Sequence, residues 1–164
     1  MIVKNGQPNY LIISDHGFCQ VREDRAINQR GLFSNSSYEI GDVLVKFSAH
    51  KIHPEPNYLT VQLGENIHIE LFPDFLQYVN HGCSPNVLFN TSTMELECVA
   101  PIKVGDELRF FYPATEWNME QPFDCNCGSS ECLRRISGAA FLPLAMLQKY
   151  KLTEFIKSKI ERKI

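Results

Sequence analysis

The segment Tyr78-Val-Asn-His-Gly-Cys-Ser-Pro-Asn-Val87 concentrates polar and turn-forming residues between two apolar stretches. The amide of Asn80 can both donate and accept hydrogen bonds. Pro85 fixes its own backbone, and a residue that precedes a proline is pushed towards an extended conformation. The pattern therefore predicts a rigid polar loop of the kind that builds sites on a scaffold. The residues alone also fit a structural turn with a partly buried His81.

A second concentration of chemistry lies downstream, where Cys125, Cys127 and Cys132 occur within eight residues. Structural zinc sites need four ligands, usually thiolates, in a tetrahedron. The fourth ligand would have to come from Cys19, Cys83 or Cys98. Free thiols, disulfides and an iron–sulfur centre are the alternatives, but the spacing differs from common iron–sulfur runs. Zinc is the favoured interpretation.

Short strand-like runs dominate the first two-thirds of the chain, with turn signals between them. They occupy residues 10–14, 41–47, 58–63, 66–71, 86–89, 94–100 and 106–112. Strands this short and frequent predict small packed sheets rather than a parallel βαβ array. A short helix or turn is predicted at 73–78, and a helix over the last twenty residues. Its lysines and arginines indicate either a docking surface or, as we favour, a solvated face.

Composition limits the class of protein. The chain has 164 residues, which suits one domain with a real core, and a formal net charge of −3. Nucleic-acid binding usually needs a basic surface, so none is expected; a lysine-rich peptide would suit the charge, as would plain solubility. No apolar run is long enough for a membrane span, and residues 1–14 do not resemble a secretory signal. Clustered cysteines then favour a reducing, intracellular compartment, cytoplasmic or nuclear.

Four motifs, in order, resemble those of SET-domain protein lysine methyltransferases. Residues 80–86, NHGCSPN, resemble the family's NHxCxPN signature, and residues 105–112, GDELRFFY, resemble its G-E-E-L-x-F-x-Y segment. The cysteines at 125, 127 and 132 match the post-SET pattern C-x-C-x4-C. Residues 30–34, RGLFS, followed by 40–44, IGDVL, resemble the N-terminal SET stretch.

The resemblance implies a mostly β (α+β) fold. It is a β-clip of small sheets around a threaded pseudoknot, with a post-SET zinc segment and a C-terminal helix. The implied division is a SET domain at 1–120, a post-SET zinc-binding segment at 121–137 and a C-terminal helical extension at 138–164. Residues 47–73 correspond to the insert that shapes the peptide groove in the family.

The resemblance also implies a site. The metal ligands of the structural zinc would be Cys83, Cys125, Cys127 and Cys132. Tyr112 would be the catalytic residue. S-adenosylmethionine would bind at Arg30, Gly31, Leu32, Phe33, Asn80 and His81, with Trp117 or Phe123 against its adenine. Phe110, Phe111 and Tyr58 would line the substrate channel. Cys19 and Cys98 match no ligand position and are interpreted as ordinary buried residues.

The implied activity is methyl transfer to the side-chain amine of a lysine in a histone or another protein. Two residues depart from the family pattern, since Gln29 stands where a glycine is frequent and Phe111 where an aspartate is. They leave room for a catalytically inactive SET-like zinc-containing module that binds a peptide or protein. A zinc-stapled interaction module without any cofactor is the other alternative.

Overall fold

The structure of the chain, a computed structural model, describes residues 9–164. The expected lack of a signal sequence therefore concerns a segment that lies largely outside the described residues. In chain order the strands are β1 (Tyr10–Asp15), β2 (Cys19–Asp24), β3 (Gln29–Ser34), β4 (Val43–Lys46), β5 (Ser48–His53), β6 (Thr60–Gly64), β7 (Ile67–Phe72), β8 (Asn80–His81), β9 (Val87–Asn90), β10 (Glu95–Cys98), β11 (Glu107–Phe110), β12 (Phe123–Asp124) and β13 (Arg135–Ile136). The helices are α1 (Leu144–Leu147) and α2 (Glu154–Lys163), with 3-10 turns at Asp74–Tyr78, Tyr112–Ala114 and Ala139–Phe141.

Within residues 9–164 four small sheets make up the β-structure, which confirms the predicted mostly β fold class. The pseudoknot stays a prediction. The largest sheet has the order β1-β2-β3-β11-β8, and the others are β4-β10-β9, β5-β7-β6 and the pair β12-β13. Neighbouring strands are antiparallel except for β8 and β11, which run parallel. That parallel pair sets Asn80 opposite Arg109 and His81 opposite Phe110. The polar loop and the segment before Tyr112 are thereby brought side by side.

The main core fills the space between these sheets, because alternate residues of their strands point inwards. Leu32, Phe89 and Leu108 have no exposed surface, and they come from three different strands. Cys19 and Cys98 also lie in this core, away from the other cysteines. A second apolar cluster forms where the C-terminal segment packs on Phe111, with Leu147 and Ile156 among its buried members.

The C-terminal region is helical in two pieces rather than in one. After the N-cap residue Pro143, whose backbone is extended, α1 spans only Leu144–Leu147. The chain is irregular from there until Thr153, whose side chain accepts a hydrogen bond from the Ile156 N–H at 3.4 Å and caps α2. Leu152 is buried but lies outside both helices, so the prediction of one helix over the last twenty residues was wrong at this position.

Basic residues of this region are mostly paired with acidic neighbours. Lys151 lies 2.6 Å from Glu97, and Lys159 lies 2.9 Å from Glu65. Lys149 and Lys157 make further salt bridges, and Lys163 donates to the carbonyl of Ala140. Such pairing favours the solvated-face interpretation over a docking surface. Within residues 9–164, neither helix has the length and apolar character needed to cross a membrane.

Candidate functional site

The four predicted ligand cysteines meet at one point. The sulfur atoms of Cys83, Cys125, Cys127 and Cys132 all lie within 4.8 Å of one another. Cys83 comes from the loop after β8, and the other three come from the segment between β12 and β13. Zinc–sulfur bonds of about 2.3 Å put tetrahedral sulfurs about 3.8 Å apart, so a small contraction would close the site. The donor set therefore fits zinc.

The protonation chemistry of the cluster agrees with a metal site. Burial raises the pKa of Cys83 well above its usual range and that of Cys125 to about 11. Burial acts in the same direction on Cys127, but hydrogen bonds from the backbone of Cys83 and Ser129 outweigh it and lower its pKa to about 6. The lowered pKa of Cys127 favours its thiolate form, and a bound cation would deprotonate the remaining thiols.

Tyr150 secures the loop that carries Cys83. Its hydroxyl donates to the carbonyl of Cys83 at 2.8 Å, and its ring stacks on Phe111 with the centroids 3.7 Å apart. The sequence reasoning missed this tyrosine, and no local signal pointed to it, because the contact joins residues 67 positions apart. The same stacking places Phe111 in the second apolar cluster with 1% of its surface exposed. Phe111 consequently lines neither cavity described below.

A cavity of about 560 Å³ opens between β3, β8 and β12. Six of the predicted cofactor residues line it: Arg30, Gly31, Phe33, Asn80, His81 and Phe123. Leu32 is instead fully buried in the main core, as its position between two lining residues on β3 requires. Trp117 also lies away from this cavity, with Lys159 5.3 Å from its ring centroid.

A polar network forms one wall of this first cavity. The Asn80 side chain donates to the Arg30 carbonyl at 2.7 Å and to Glu107 at 3.1 Å. Glu107 pairs with Arg109 at 2.6 Å, and Arg109 donates to the carbonyl of Cys127 at 3.0 Å. The sequence reasoning missed Glu107 and Arg109 as lining residues. Their i, i+2 spacing on β11, which puts them on one face, was the available signal.

Gly31 is required by this network. A Cβ atom at residue 31 would lie 2.7 Å from a carboxylate oxygen of Glu107 and 3.1 Å from the ring of Phe33. The absent side chain therefore lets Glu107 approach β3 and bind Asn80. This close approach gives a physical reason for the glycine of the R-G-x-F motif.

His81 joins the cysteine cluster to Tyr112. Its Nδ1 accepts the backbone N–H of Tyr112 at 3.2 Å, and its Nε2 lies 3.3 Å from the sulfur of Cys83. Because Nδ1 accepts, the neutral ring carries its proton on Nε2, which donates to the sulfur. Burial, helped by the positive charge of Arg109, lowers the pKa of His81 to about 4. The imidazole is therefore neutral at physiological pH.

Tyr112 and Phe123 form a wall shared by two cavities. Both line the first cavity, and both also line a second one of about 320 Å³. The Tyr112 ring packs on Phe110 with centroids 4.6 Å apart, and Phe110 lines the second cavity as predicted. Burial raises the pKa of Tyr112 to about 12, so its phenol stays protonated. Tyr58, 77% exposed, stands at the mouth of the second cavity.

Comparison with known proteins points to methyltransferases. The chain matches no protein-family model. It is 46% identical over 106 residues to the methyltransferase flvH of Aspergillus flavus, covering 63% of this chain and 59% of that protein. It is 38% identical over 66 residues to the histone-lysine N-methyltransferase set9 of Schizosaccharomyces pombe, covering 39% of this chain and 14% of that protein. The chain thus spans well under two-thirds of the length of either relative. Both names agree with the resemblance drawn from the sequence motifs.

Proposed function

Because the chain is similar to SET-domain methyltransferases, we propose that it transfers methyl groups from S-adenosylmethionine to the side-chain amine of a lysine in a protein substrate. The observation that carries this proposal is the wall made by Tyr112 and Phe123. It borders a more polar cavity and a more apolar one, whose linings have no other residue in common within residues 9–164. A donor and an acceptor bound in these cavities would meet at the phenol of Tyr112.

The first cavity has the chemistry that the methyl donor needs. S-adenosylmethionine would supply an electrophilic methyl group on a sulfonium and would present an amino-acid end with both charges. Arg30 and Arg109 offer cationic groups, while Asp24 and Glu107 offer carboxylates. The volume of about 560 Å³ is that of a typical small-molecule site. Asn80, His81 and Phe123 are proposed to bind the donor as the family pattern implies.

The second cavity suits the acceptor amine. A free lysine has a pKa of about 10.4, so its deprotonation at pH 7 costs roughly 4 to 5 kcal/mol. Apolar walls lower that pKa by desolvation, and Phe110, Tyr112 and Phe123 supply them. The Tyr112 phenol, which stays protonated, orients the amine. The relative from Schizosaccharomyces pombe acts by its name on histone lysine, so we propose a histone or another lysine-bearing protein as the substrate.

Zinc has a structural role in this proposal. Cys83 with Cys125, Cys127 and Cys132 would hold the ion and tie the proposed post-SET segment, residues 121–137, to the loop after β8. Phe123 lies in that segment and lines both cavities. The metal would thereby fix one half of the shared wall.

The test uses labelled S-adenosylmethionine with a panel of histones and a cell lysate. We expect label on a protein lysine with the wild type, and a loss of at least about 100-fold with Tyr112→Phe, because orientation of the amine is lost. Tyr38→Phe is the matched control, since Tyr38 is half-buried against the main core and lines neither cavity. It should transfer label like the wild type.

Two results would contradict the proposal. Calorimetric binding of S-adenosylmethionine with no label on any lysine would favour the inactive peptide-binding module. No measurable affinity for S-adenosylmethionine, with zinc still bound, would favour the cofactor-free module. Equal labelling by the wild type and Tyr112→Phe would remove Tyr112 from its proposed role.

A further inference from the structure

Glu116 is a buried carboxyl group in the second cavity. Its residue surface is 7% exposed, and it lines the cavity together with Phe110 and Tyr112. Its backbone N–H donates to the Tyr112 carbonyl at 2.9 Å, so the two residues lie one helical turn apart. The charge of the Glu116 carboxylate helps to raise the pKa of Tyr112, although burial of the phenol is the larger cause.

The hydrogen bonds of this carboxyl group leave one oxygen free. Oε1 accepts the backbone N–H of Gln62 at 2.9 Å and the hydroxyl of Thr115 at 3.0 Å. Within residues 9–164 no protein donor reaches Oε2. In that part of the chain, one fully buried side-chain polar atom lacks a hydrogen-bond partner, and it is Nδ1 of His68. Oε2 of Glu116 also lacks a partner but is not such an atom, so it is not fully buried. Oε2 is therefore accessible, and the cavity that Glu116 lines is the second one.

In the part of the chain that the structure describes, no basic group forms a salt bridge with this acid. The titratable groups that share its cavity are Tyr58, Tyr112 and Glu120. From the packed elements, His68 on β7 faces Gln62, and Lys159 and Lys163 lie over the ring of Trp117. None of these makes a salt bridge with Glu116 in the described part of the chain. An unpaired carboxyl buried at a cavity is unfavourable for stability, which is typical of functional sites.

We propose that Glu116 is the base that accepts the proton which the substrate ammonium must lose, an inference that rests on the proposed function. In this step an N–H bond of the ammonium breaks and leaves its electron pair on nitrogen, while an O–H bond forms at Oε2. Ammonium and carboxylate become a neutral amine and a neutral acid. The freed lone pair is the nucleophile for methyl transfer, and Glu116 later releases its proton to water at the cavity mouth.

The free energy of that proton transfer depends on how close the pKa of the Glu116 carboxyl group is to the pKa of the substrate amine. An ordinary carboxylate would simply hold the amine as an ammonium ion. Burial raises the pKa of Glu116 to about 7, although its hydrogen bonds with Gln62 and Thr115 oppose the shift. Desolvation in the apolar cavity lowers the pKa of the amine at the same time. A base whose pKa lies near the working pH is the most efficient one.

The kinetic test compares kcat/KM from about pH 6 to about pH 10 for the wild type and Glu116→Gln. Glutamine keeps the Oε1 acceptor for Gln62 and Thr115 but cannot take a proton. We expect the wild-type value to rise through about pH 7 and level off, as its base deprotonates. Glu116→Gln should be roughly 100-fold slower at neutral pH and should keep rising with pH, so that its deficit shrinks.

Two further variants separate charge from structure. Glu116→Asp retains an ionisable group. It should therefore be more active than Glu116→Gln, and its kcat/KM should again rise through neutral pH and level off. Glu161→Gln, on an exposed face of α2, makes the same change of charge away from both cavities and should match the wild type. A profile of Glu116→Gln that superimposes on the wild type within twofold would overturn the inference.

A second readout needs no turnover. Infrared difference spectra of wild type minus Glu116→Gln should show a protonated carboxyl that titrates near neutrality, and n-butylammonium should move that titration to lower pH. This measurement also applies to the wild type alone if Glu116→Gln fails to fold. A titration that is unaffected by n-butylammonium would overturn the inference. If the wild type methylates no lysine, the proposed function fails first, which is a distinct result.

Discussion

Gly138 shows how one residue can control a backbone contact. Its φ of +112° lies in the region that favours glycine, and a Cβ atom there would come 2.5 Å from the carbonyl oxygen of Trp117. The backbone N–H groups of residues 139 and 140 bond to the carbonyls of Glu116 and Trp117. The turn at Gly138 therefore holds the chain that follows Tyr112 against the C-terminal region.

We expect Gly138→Ala to destabilise the fold by about 3 kcal/mol, because it adds a backbone clash to the strain of a positive φ. Gly105→Ala is the matched control, since its φ is +92° but nothing lies within 4 Å of the added Cβ. That change should cost about 1 kcal/mol, from conformation alone. Urea unfolding of both variants measures the difference, and equal losses would show that the contact with Trp117 relaxes freely.

At the scale of elements, α2 is attached to the rest of the fold mainly through one face. Ile156 is fully buried in the cluster that also contains Phe111 and Leu147. Lysines of α2 make salt bridges at the surface: Lys157 with Glu154 of the same helix, and Lys159 with Glu65 of the turn between β6 and β7. Exposed pairs of this kind contribute little, so the apolar face holds the helix in place.

Ile156→Ala should therefore lower the free energy of unfolding by about 2 to 4 kcal/mol, because it leaves a cavity in a packed cluster. Ile164→Ala at the end of the chain removes the same atoms from a residue that is 90% exposed, and it should have almost no effect. Thermal melts of the two variants make the comparison. A small loss for Ile156→Ala would mean that α2 contributes little to the fold.

For the molecule as a whole, the cysteine cluster joins regions that are distant in the chain. Cys83 and Cys125 are 42 positions apart in the sequence. Their meeting brings the loop after β8 to the segment that follows Phe123. A metal ion at this point would hold both cavity walls together. Its removal should therefore loosen the shared wall as well as the cluster itself.

We expect one zinc per chain by elemental analysis, with a large fall in melting temperature after treatment with a chelator. Cys132→Ala should lose most of the zinc, because it removes one of four thiolates. Cys98→Ala, which empties a core position away from the cluster, should keep the zinc although it is less stable. Full zinc content in Cys132→Ala would show that the metal does not depend on this residue.

Local patterns in the sequence predicted most of the strands and the position of the 3-10 turn at Asp74–Tyr78. They missed six of the thirteen strands within residues 9–164, which are β2, β3, β5 and the two-residue strands β8, β12 and β13. β5 has the sequence SAHKIH with five of its six residues exposed, so it lacks an alternating pattern and exists because it pairs with β7. β3 was analysed as the R-G-x-F motif and not as a strand. In β2 the charged residues obscured the alternating pattern of the inward-pointing Cys19 and Val21.

The sequence predicted part of the candidate site, as it predicted part of the strands. The residues alone left the fourth thiolate open among three cysteines, and the family pattern chose Cys83, which the geometry places with the other three. Glu116 and Tyr150 were not found, because their contacts with Gln62 and Cys83 cross 54 and 67 positions of the chain. Burial and long-range hydrogen bonds decide these roles, and neither is visible in a local motif.

The partition formed by Tyr112 and Phe123 has a kinetic consequence under the proposed function. Because the linings of the two cavities share only Tyr112 and Phe123 within residues 9–164, we expect the spent donor to be exchanged while the acceptor chain remains docked. A single encounter with the substrate could then add more than one methyl group in succession. The enzyme would act processively, and partially modified intermediates would stay scarce even when unmodified substrate is in large excess.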